Sequence, residues 1–362
     1  MKKEYKTMYE KVKKYCSIDG ISRYEDKVAQ ELKKSTNNKN LVYERDGLGS
    51  IIISQNNKPK TGPVIQIAAH MDEVGFIVQD ITEKGQLKLS MIGGIWTPTI
   101  IGSKAIVYNS KGKKYEGVFG HTSIHIMEAE KRTKVPELKE LYVDLGFKSK
   151  EQAEKNLIEI GSIVCLSGDC FEVNDEYAVA KAMDNRAGVS VLEEVIQRVA
   201  NQKLKNQVYF VGTVQEEVGT RGAKTSVKKI KPDIAIALDT CASHDTYGAI
   251  PGTQELGKGA ALRIKDMGTL MDPKLIEYLM DLGRQYNIPV YKYVAQGGGT
   301  DAAELQYGNE GVATITISLP QRYLHSPLGM CSMKDLVAAA DLIEKFLLKM
   351  DAKEFNKFIK YQ

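Results

Sequence analysis

The sequence has no apolar run near the roughly 20 residues that a membrane-crossing helix requires, so a membrane span is not expected. Its five cysteines, Cys16, Cys165, Cys170, Cys241 and Cys331, are odd in number and form no CxxC pair. That pattern speaks against a zinc ribbon and for free thiols in a reducing cytoplasm. The N-terminal Met1-Lys2-Lys3-Glu4-Tyr5-Lys6 is basic, but no apolar segment follows it, so no secretory signal is expected. A surplus of one charge sign is also missing. Fifty basic against 46 acidic residues leave +4, too little over this length for a nucleic-acid footprint. Internal repeats and low-complexity tracts are absent. With 43% hydrophobic and 27% charged residues over 362 positions, the chain can build one large or two moderate cores.

What is present is an α/β pattern interrupted once. Tyr5, Met8, Tyr9, Val12 and Tyr15 recur at helical spacing. Ser22 is placed to cap a second helix running to about residue 33. Strand-like runs at 41–45 and 50–54 flank an Asp46-Gly47-Leu48-Gly49 turn. A polar loop over 58–62 leads into the short buried strand 64–69. From Glu73 to about Gly168 short strands alternate with turns, at 74–78, 86–92, 104–108, 115–119 and 162–166, around one charged helix near 150–156. This spacing predicts a small β-barrel or sandwich inserted after His70-Met71-Asp72. Beyond Ala178 the alternation of helix and strand returns. Helices are expected at 185–200, near 223–229, from Pro273 and over 334–350; strands at 207–214, 234–238, 261–264, 290–294 and 312–319.

The run from Gln207 is apolar and β-branched, and then meets Glu216-Glu217 and a glycine-punctuated turn. Side chains on an extended segment point alternately to opposite faces, so the two carboxylates are expected to serve different partners, a metal and a substrate. Alone, the pair reads as readily as a solvated strand end. Other strand-like runs, however, also end in metal-competent residues: His70 and Asp72, Asp239, and His325 beyond the last strand. Asp184 lies at a strand-to-helix junction. In α/β sheets ligands gather at the carboxyl ends of strands. Imidazole and carboxylate without thiolate suit zinc or a similar borderline metal. Two histidines and three carboxylates suffice for two ions if one carboxylate bridges them. Such a centre serves hydrolysis by activating water and polarising a carbonyl, and needs a base to carry the proton. Glu216 suits that role, and Asp72 is placed to accept the second ring proton of His70. His121 and His125 read as non-ligands and His244 as a solvated loop residue. Gly297-Gly298-Gly299 lacks the lysine and spacing of a phosphate loop. With Thr300 and Asp301 it reads as a substrate loop that hugs the backbone. Lys258 and Arg322 are candidates for a charge facing the substrate.

The stretches Ala68-Ala69-His70-Met71-Asp72-Glu73-Val74-Gly75, Ala180-Lys181-Ala182-Met183-Asp184-Asn185-Arg186-Ala187-Gly188 and Gln215-Glu216-Glu217-Val218-Gly219-Thr220-Arg221-Gly222-Ala223 resemble the TET aminopeptidases, a dinuclear-metal family. Gly298-Gly299-Thr300-Asp301-Ala302 and Arg322-Tyr323-Leu324-His325-Ser326-Pro327 extend the resemblance, which runs more weakly from Gly20 to about Leu347. It implies a mixed-sheet, three-layer α/β metallopeptidase domain (1–72 and 171–362) and an inserted, β-rich, barrel-like dimerisation domain (73–170). It implies that His70, Asp184 and Asp239 hold one divalent ion and Asp184, Glu217 and His325 a second, with zinc, cobalt and manganese as candidates. It further implies Glu216 as general base, a cis bond between Asp184 and Asn185, peptide substrates, and dimers assembled into a twelve-subunit shell in the cytoplasm. One departure stands out: the family carries Glu two residues after the proline of His-Ser-Pro, and here that position is Gly329. The expected activity is removal of N-terminal residues from peptides. A di-zinc acyl-amino-acid deacylase or carboxypeptidase, and a non-catalytic oligomeric binding protein, are the alternatives.

Overall fold

A computed structural model of the protein describes residues 2–56, 59 and 61–361, so the polar loop expected over 58–62 lies partly outside the described residues. The chain opens with α1 (Lys3–Cys16) and α2 (Asp26–Ser35). Met8, Tyr9, Val12 and Tyr15 form the buried face of α1, as their spacing predicts. Ser22 does not cap α2, whose N-cap is Glu25. Its hydroxyl donates instead to Asp72 Oδ2 at 2.6 Å, and Arg23 has φ 79, a left-handed conformation that cannot continue a helix.

Strands β1 (Leu41–Arg45), β2 (Ile51–Gln55) and β3 (Val64–His70) follow. Asp46 Oδ1 closes the first turn by accepting from the N–H groups of Leu48, Gly49 and Ser50. The inserted segment then supplies β4 (Gly75–Ile81), β5 (Leu87–Ile92), β6 (Lys104–Tyr108), β7 (Lys114–Gly120), β8 (Tyr142–Asp144), the helix α3 (Lys150–Lys155) and β9 (Ile163–Leu166). These six strands close into a barrel in the order β4-β5-β8-β7-β6-β9. Every pair is antiparallel. Closure removes the exposed edges that an open small sheet would present. Phe76 and Phe119, with ring centroids 5.5 Å apart, fill the interior with Val78, Leu87 and Val107.

The remaining elements are β10 (Phe171–Val173), β11 (Tyr177–Ala180), α4 (Met183–Val199), β12 (Gln207–Thr213), α5 (Arg221–Ile230), β13 (Ile234–Ala242), β14 (Ala260–Lys265), α6 (Pro273–Tyr286), β15 (Val290–Val294), α7 (Ala302–Leu305), β16 (Ala313–Arg322), β17 (Gly329–Ser332), α8 (Met333–Lys349) and α9 (Ala352–Glu354). Among the described residues eleven strands form one mixed sheet in the order β1-β2-β12-β3-β13-β16-β17-β11-β10, with β14 and β15 branching from β16. Its centre, β12-β3-β13-β16, is parallel. Helices cover both faces. Gln66 on β3 donates to Ser226 of α5, and alternation turns its neighbours Ile65 and Ile67 the other way, where α4 packs with α1 and α8. A strand covered on both faces has no solvent side, which is why β3 shows no apolar–polar alternation and is apolar from Val64 to Ala69 apart from Gln66. Asp272 caps α6 by accepting from Leu275 N–H, with Pro273 in the first turn. Among the described residues no helix is long and apolar enough to cross a membrane.

Candidate metal centre and active-site cavity

The four central parallel strands deliver their carboxyl ends to one place. His70 is the last residue of β3, and Asp239 lies near the end of β13. Glu216 and Glu217 follow β12 by three and four residues, and His325 follows β16 by three. Asp184 enters from the start of α4, and its bond to Asn185 is cis. All six side chains line a cavity of about 590 Å³. Asn185 ties this junction to the sheet, donating from Nδ2 to the Leu238 carbonyl at 2.7 Å while Oδ1 accepts from Gly188 N–H.

Asp184 sits between two groups. Its Oδ1 is 3.0 Å from His70 Nε2, which in turn lies 3.5 Å from Asp239 Oδ1. Its Oδ2 is 3.2 Å from His325 Nε2, which lies 3.3 Å from Glu217 Oε1. Glu216 Oε2 stands farther off, 4.0 Å from His70 Nε2.

The two glutamates are not separated by strand alternation. β12 ends at Thr213, and Gln215 turns left-handed with φ 57. Both carboxylates then enter the same cavity from a turn, in which the Glu216 carbonyl accepts from Gly219 and Thr220 N–H. Asp72 faces the His70 ring with two oxygens. The His70 Nδ1 contact at 3.1 Å is to the Asp72 backbone carbonyl, with the carboxylate 3.4 Å away. The buried carboxylate has other donors to satisfy: Ser22 Oγ, Glu216 N–H at 3.0 Å and Glu217 N–H at 3.1 Å.

Crowding shapes the protonation of these groups. Burial pushes Glu216 well above the usual carboxylate range; His70 opposes this, and Asp239, Glu217 and Asp301 reinforce it. Burial also raises Asp239 and lifts Glu217 to about 7, against the pull of His325. Burial would raise Asp184 too, but hydrogen bonds with His325 and His70 hold it low. Both histidines rise despite burial, His325 to about 11 under Asp184 and Glu217, and His70 well up under Asp184, Asp239 and Asp72. The cluster therefore draws positive charge. Its nitrogen and oxygen donors, converging without a thiolate among the six, fit divalent ions. Atoms of His70, Asp184 and Glu217 lie within 4.8 Å of one another.

Sequence reasoning missed the barrel's part in this site. His325 Nδ1 is 2.6 Å from the carbonyl of Gly94, in the loop after β5. That contact directs the ring's Nε2 at Asp184 and Glu217. Gly93 has φ 75, and a Cβ there would lie 2.7 Å from Val74 and 3.2 Å from the Glu217 side chain. The Gly93-Gly94 pair is a sequence signal for so close an approach. Gly93→Ala should destabilise the protein by about 1–3 kcal/mol through backbone strain and lower the metal-binding affinity, as a thermal melt and a metal titration would show.

Other expected site residues part company. Gly298, Gly299 and Thr300 line the cavity wall. Asp301 lies beneath it, 3% exposed, and accepts from Thr213 Oγ1 at 2.5 Å. Arg322 is not on the wall: its guanidinium takes both oxygens of Asp245, a match of planar shapes that a loop carboxylate satisfies better than solvent. Lys258 pairs with Glu255. His244 is half-buried and lines the cavity, with Nδ1 2.8 Å from the Ile250 carbonyl. His121 and His125 are exposed, the second within a short 3₁₀ turn (Ile124–Ile126), and neither lines the cavity. A Cβ at Gly329 would meet Gln321 Nε2 at 2.4 Å and Met183 at 3.0 Å, so Gln321 occupies the room that a longer side chain would need.

A family model described as M42 glutamyl aminopeptidase matches residues 49–342. The glutamyl aminopeptidase of Lactococcus lactis is 30% identical over 357 residues, covering 98% of this chain and 99% of its own. The aminopeptidase of the archaeon Desulfurococcus kamchatkensis superposes with a TM-score of 0.91 at 34% identity, covering 99% of each chain. The TET1 peptidase of Pyrococcus horikoshii, which can assemble into a tetrahedron or a large octahedral shell, gives 0.85 at 31% identity over 94% of this chain and 99% of its own.

Proposed function

Since this chain belongs to the M42 glutamyl aminopeptidase family, metal-dependent enzymes of the TET type, we propose that it removes N-terminal residues from peptides at the cavity between His70 and His325, with Glu216 as general base. The observation that carries this reading is the placement of Asp184, one oxygen toward His70 and Asp239 and the other toward His325 and Glu217. Two divalent ions held by these two groups, with Asp184 shared, would supply Lewis acidity toward the substrate carbonyl and toward water. Glu216 takes the proton of the attacking water and returns it to the leaving amine. The Asp72 and Gly94 carbonyls fix the ring orientations of His70 and His325. The free amine of the substrate pairs with the site carboxylates, and its first side chain enters the wall of Gly298, Gly299 and Thr300. A deacylase or carboxypeptidase would need a guanidinium for the substrate carboxylate. Arg263 on the cavity wall is already paired with Asp266, and Arg322 with Asp245.

The same proposal places the dimer contacts on the barrel, within residues 73–170, and the catalytic machinery on 1–72 and 171–362. Assembly from dimers toward a twelve-subunit shell is supported by the likeness to the TET1 peptidase. Exposed apolar side chains on the insertion, among them Ile124, Ile126 and Val135, add to that support. A cytoplasmic setting is favoured by the unpaired cysteines.

Chelated protein reloaded with zinc, cobalt or manganese should cleave aminoacyl-anilides and leave the N-acetylated counterparts intact. Chelation alone should abolish turnover. Equal turnover of free and acetylated substrates would overturn the aminopeptidase reading.

A further inference from the structure

The turn that carries Glu216 and Glu217 offers three successive backbone N–H groups to buried carboxylates. Gln215 N–H donates to Glu25 Oε1 at 2.9 Å, Glu216 N–H to Asp72 Oδ1 at 3.0 Å and Glu217 N–H to Asp72 Oδ2 at 3.1 Å. Asp72 is a candidate on sequence grounds; Glu25, 190 residues away from Gln215, is not. Glu25 is 4% exposed and also accepts from Arg23 N–H at 2.9 Å. It therefore joins two left-handed residues, Arg23 with φ 79 and Gln215 with φ 57. Its own carbonyl is fixed at the start of α2, accepting from Val28 and Ala29 N–H. Three residues earlier, Ser22 Oγ donates to Asp72 Oδ2 at 2.6 Å. The segment 22–25 thus grips the turn twice, directly through Glu25 and through Asp72 by way of Ser22.

We infer that Ser22 and Glu25 form a brace that sets the position of the Glu216 carboxylate, and that Glu25 is a positioning residue for proton transfer. The inference rests on the reading of Glu216 as general base. Its physical content is that Gln215 is neither glycine nor asparagine, so its left-handed conformation persists only if neighbouring groups fix it. Without an acceptor at Glu25, the Gln215 N–H is buried and unpaired. The turn then relaxes where it aims Glu216, and a misplacement of about 1 Å at a reacting group costs on the order of 100-fold in rate.

The test is a cycle built on the full-length, metal-loaded enzyme. Glu25→Met fills the same space without an oxygen acceptor; Glu25→Gln keeps the acceptor. Glu25→Met should lower kcat by about 10–100-fold, with KM within about threefold and metal content unchanged. Glu25→Gln should restore kcat to within about threefold of wild type. Ser22→Ala, which removes only the second grip, should lower kcat by less than Glu25→Met. In a Glu216→Gln background, Glu25→Met should cost less than about twofold, because the group it positions is already disabled. Equal losses in both backgrounds would show that Glu25 acts on the fold as a whole and would overturn the inference. So would unchanged kcat in Glu25→Met, or failure of Glu25→Gln to rescue. If Glu25→Met does not accumulate folded, Ser22→Ala carries the same cycle, and additivity there overturns the inference equally. Near-wild-type activity of Glu216→Gln alone would instead remove the underlying reading, a distinguishable outcome.

Discussion

Glu216→Gln should lower kcat by about 10²–10⁴-fold, the range typical of a lost general base, while metal content and melting temperature stay at wild-type values. The amide has the shape of the carboxylate but cannot take a proton from water near neutral pH. Its anchoring should survive the change, because the contacts that hold this residue in place are made by the main chain. Asp72 accepts from the Glu216 N–H, and the Glu216 carbonyl accepts from Gly219 and Thr220. The side chain lies 4.0 Å from His70 Nε2, against 3.0 Å for Asp184, so its loss leaves the tighter set of His70, Asp184 and Asp239 intact. Kinetics on the best anilide, with metal per subunit measured by mass spectrometry, checks both halves. A variant that loses metal would mark Glu216 as a ligand; one that keeps its activity would move the base elsewhere.

The central strands were legible in the sequence, since strands buried on both faces are largely apolar along their length, with few interruptions such as Gln66 in β3. His70, Asp239 and the Glu216-Glu217 pair were legible for the same reason: each breaks or follows an apolar run abruptly. The strand pattern says nothing about the chain past its last residue. The alternation expected to divide Glu216 from Glu217 does not apply, because the chain leaves β12 at Thr213 and turns at Gln215. The turn itself sets the two carboxylates apart, Glu217 Oε1 3.3 Å from His325 Nε2 and Glu216 Oε2 4.0 Å from His70 Nε2. Short closing strands such as Tyr142–Asp144, Phe171–Val173 and Gly329–Ser332 span too few residues to show any period. The Gly94 carbonyl that orients His325 belongs to the backbone, and the Gly93-Gly94 pair marks a close approach without naming its partner. Arg322 looked available for a substrate because sequence shows a charge and not its partner, and Asp245 lies 77 residues away.

The largest stability effect is expected at a cluster that resembles a second metal site. Atoms of Asp19, Glu73 and Cys165 lie within 4.8 Å of one another, but a cation is already there. Lys181 Nζ is 2.7 Å from both oxygens of Glu73 and 3.0 Å from Asp19 Oδ1. Burial opposes the ammonium, yet Glu73 and Asp19 raise Lys181 above its usual value. The network holds four parts of the chain together. Asp19 and Gly20 come from the segment after α1, Glu73 from the entry to the barrel and Lys181 from the approach to α4. Tyr108 on β6 donates to Asp19 Oδ2 at 2.5 Å. Arg186 Nη2 stands 3.6 Å from Glu73, but four of its five N–H groups already serve the carbonyls of Tyr15, Ile18, Gly20 and Met71. Its ion pair is with Glu73 and not with Asp19, so it does not replace the ammonium that joins the two carboxylates. Lys181→Met should therefore leave two carboxylates buried without their cation and destabilise the protein by about 3–5 kcal/mol in denaturant unfolding. Adding Glu73→Gln should recover part of that loss, since the penalty belongs to the unpaired charge and not to the missing contact. A Lys181→Met variant within about 1 kcal/mol of wild type, the range of an exposed pair, would show that water reaches the cluster and that the barrel is held by other contacts.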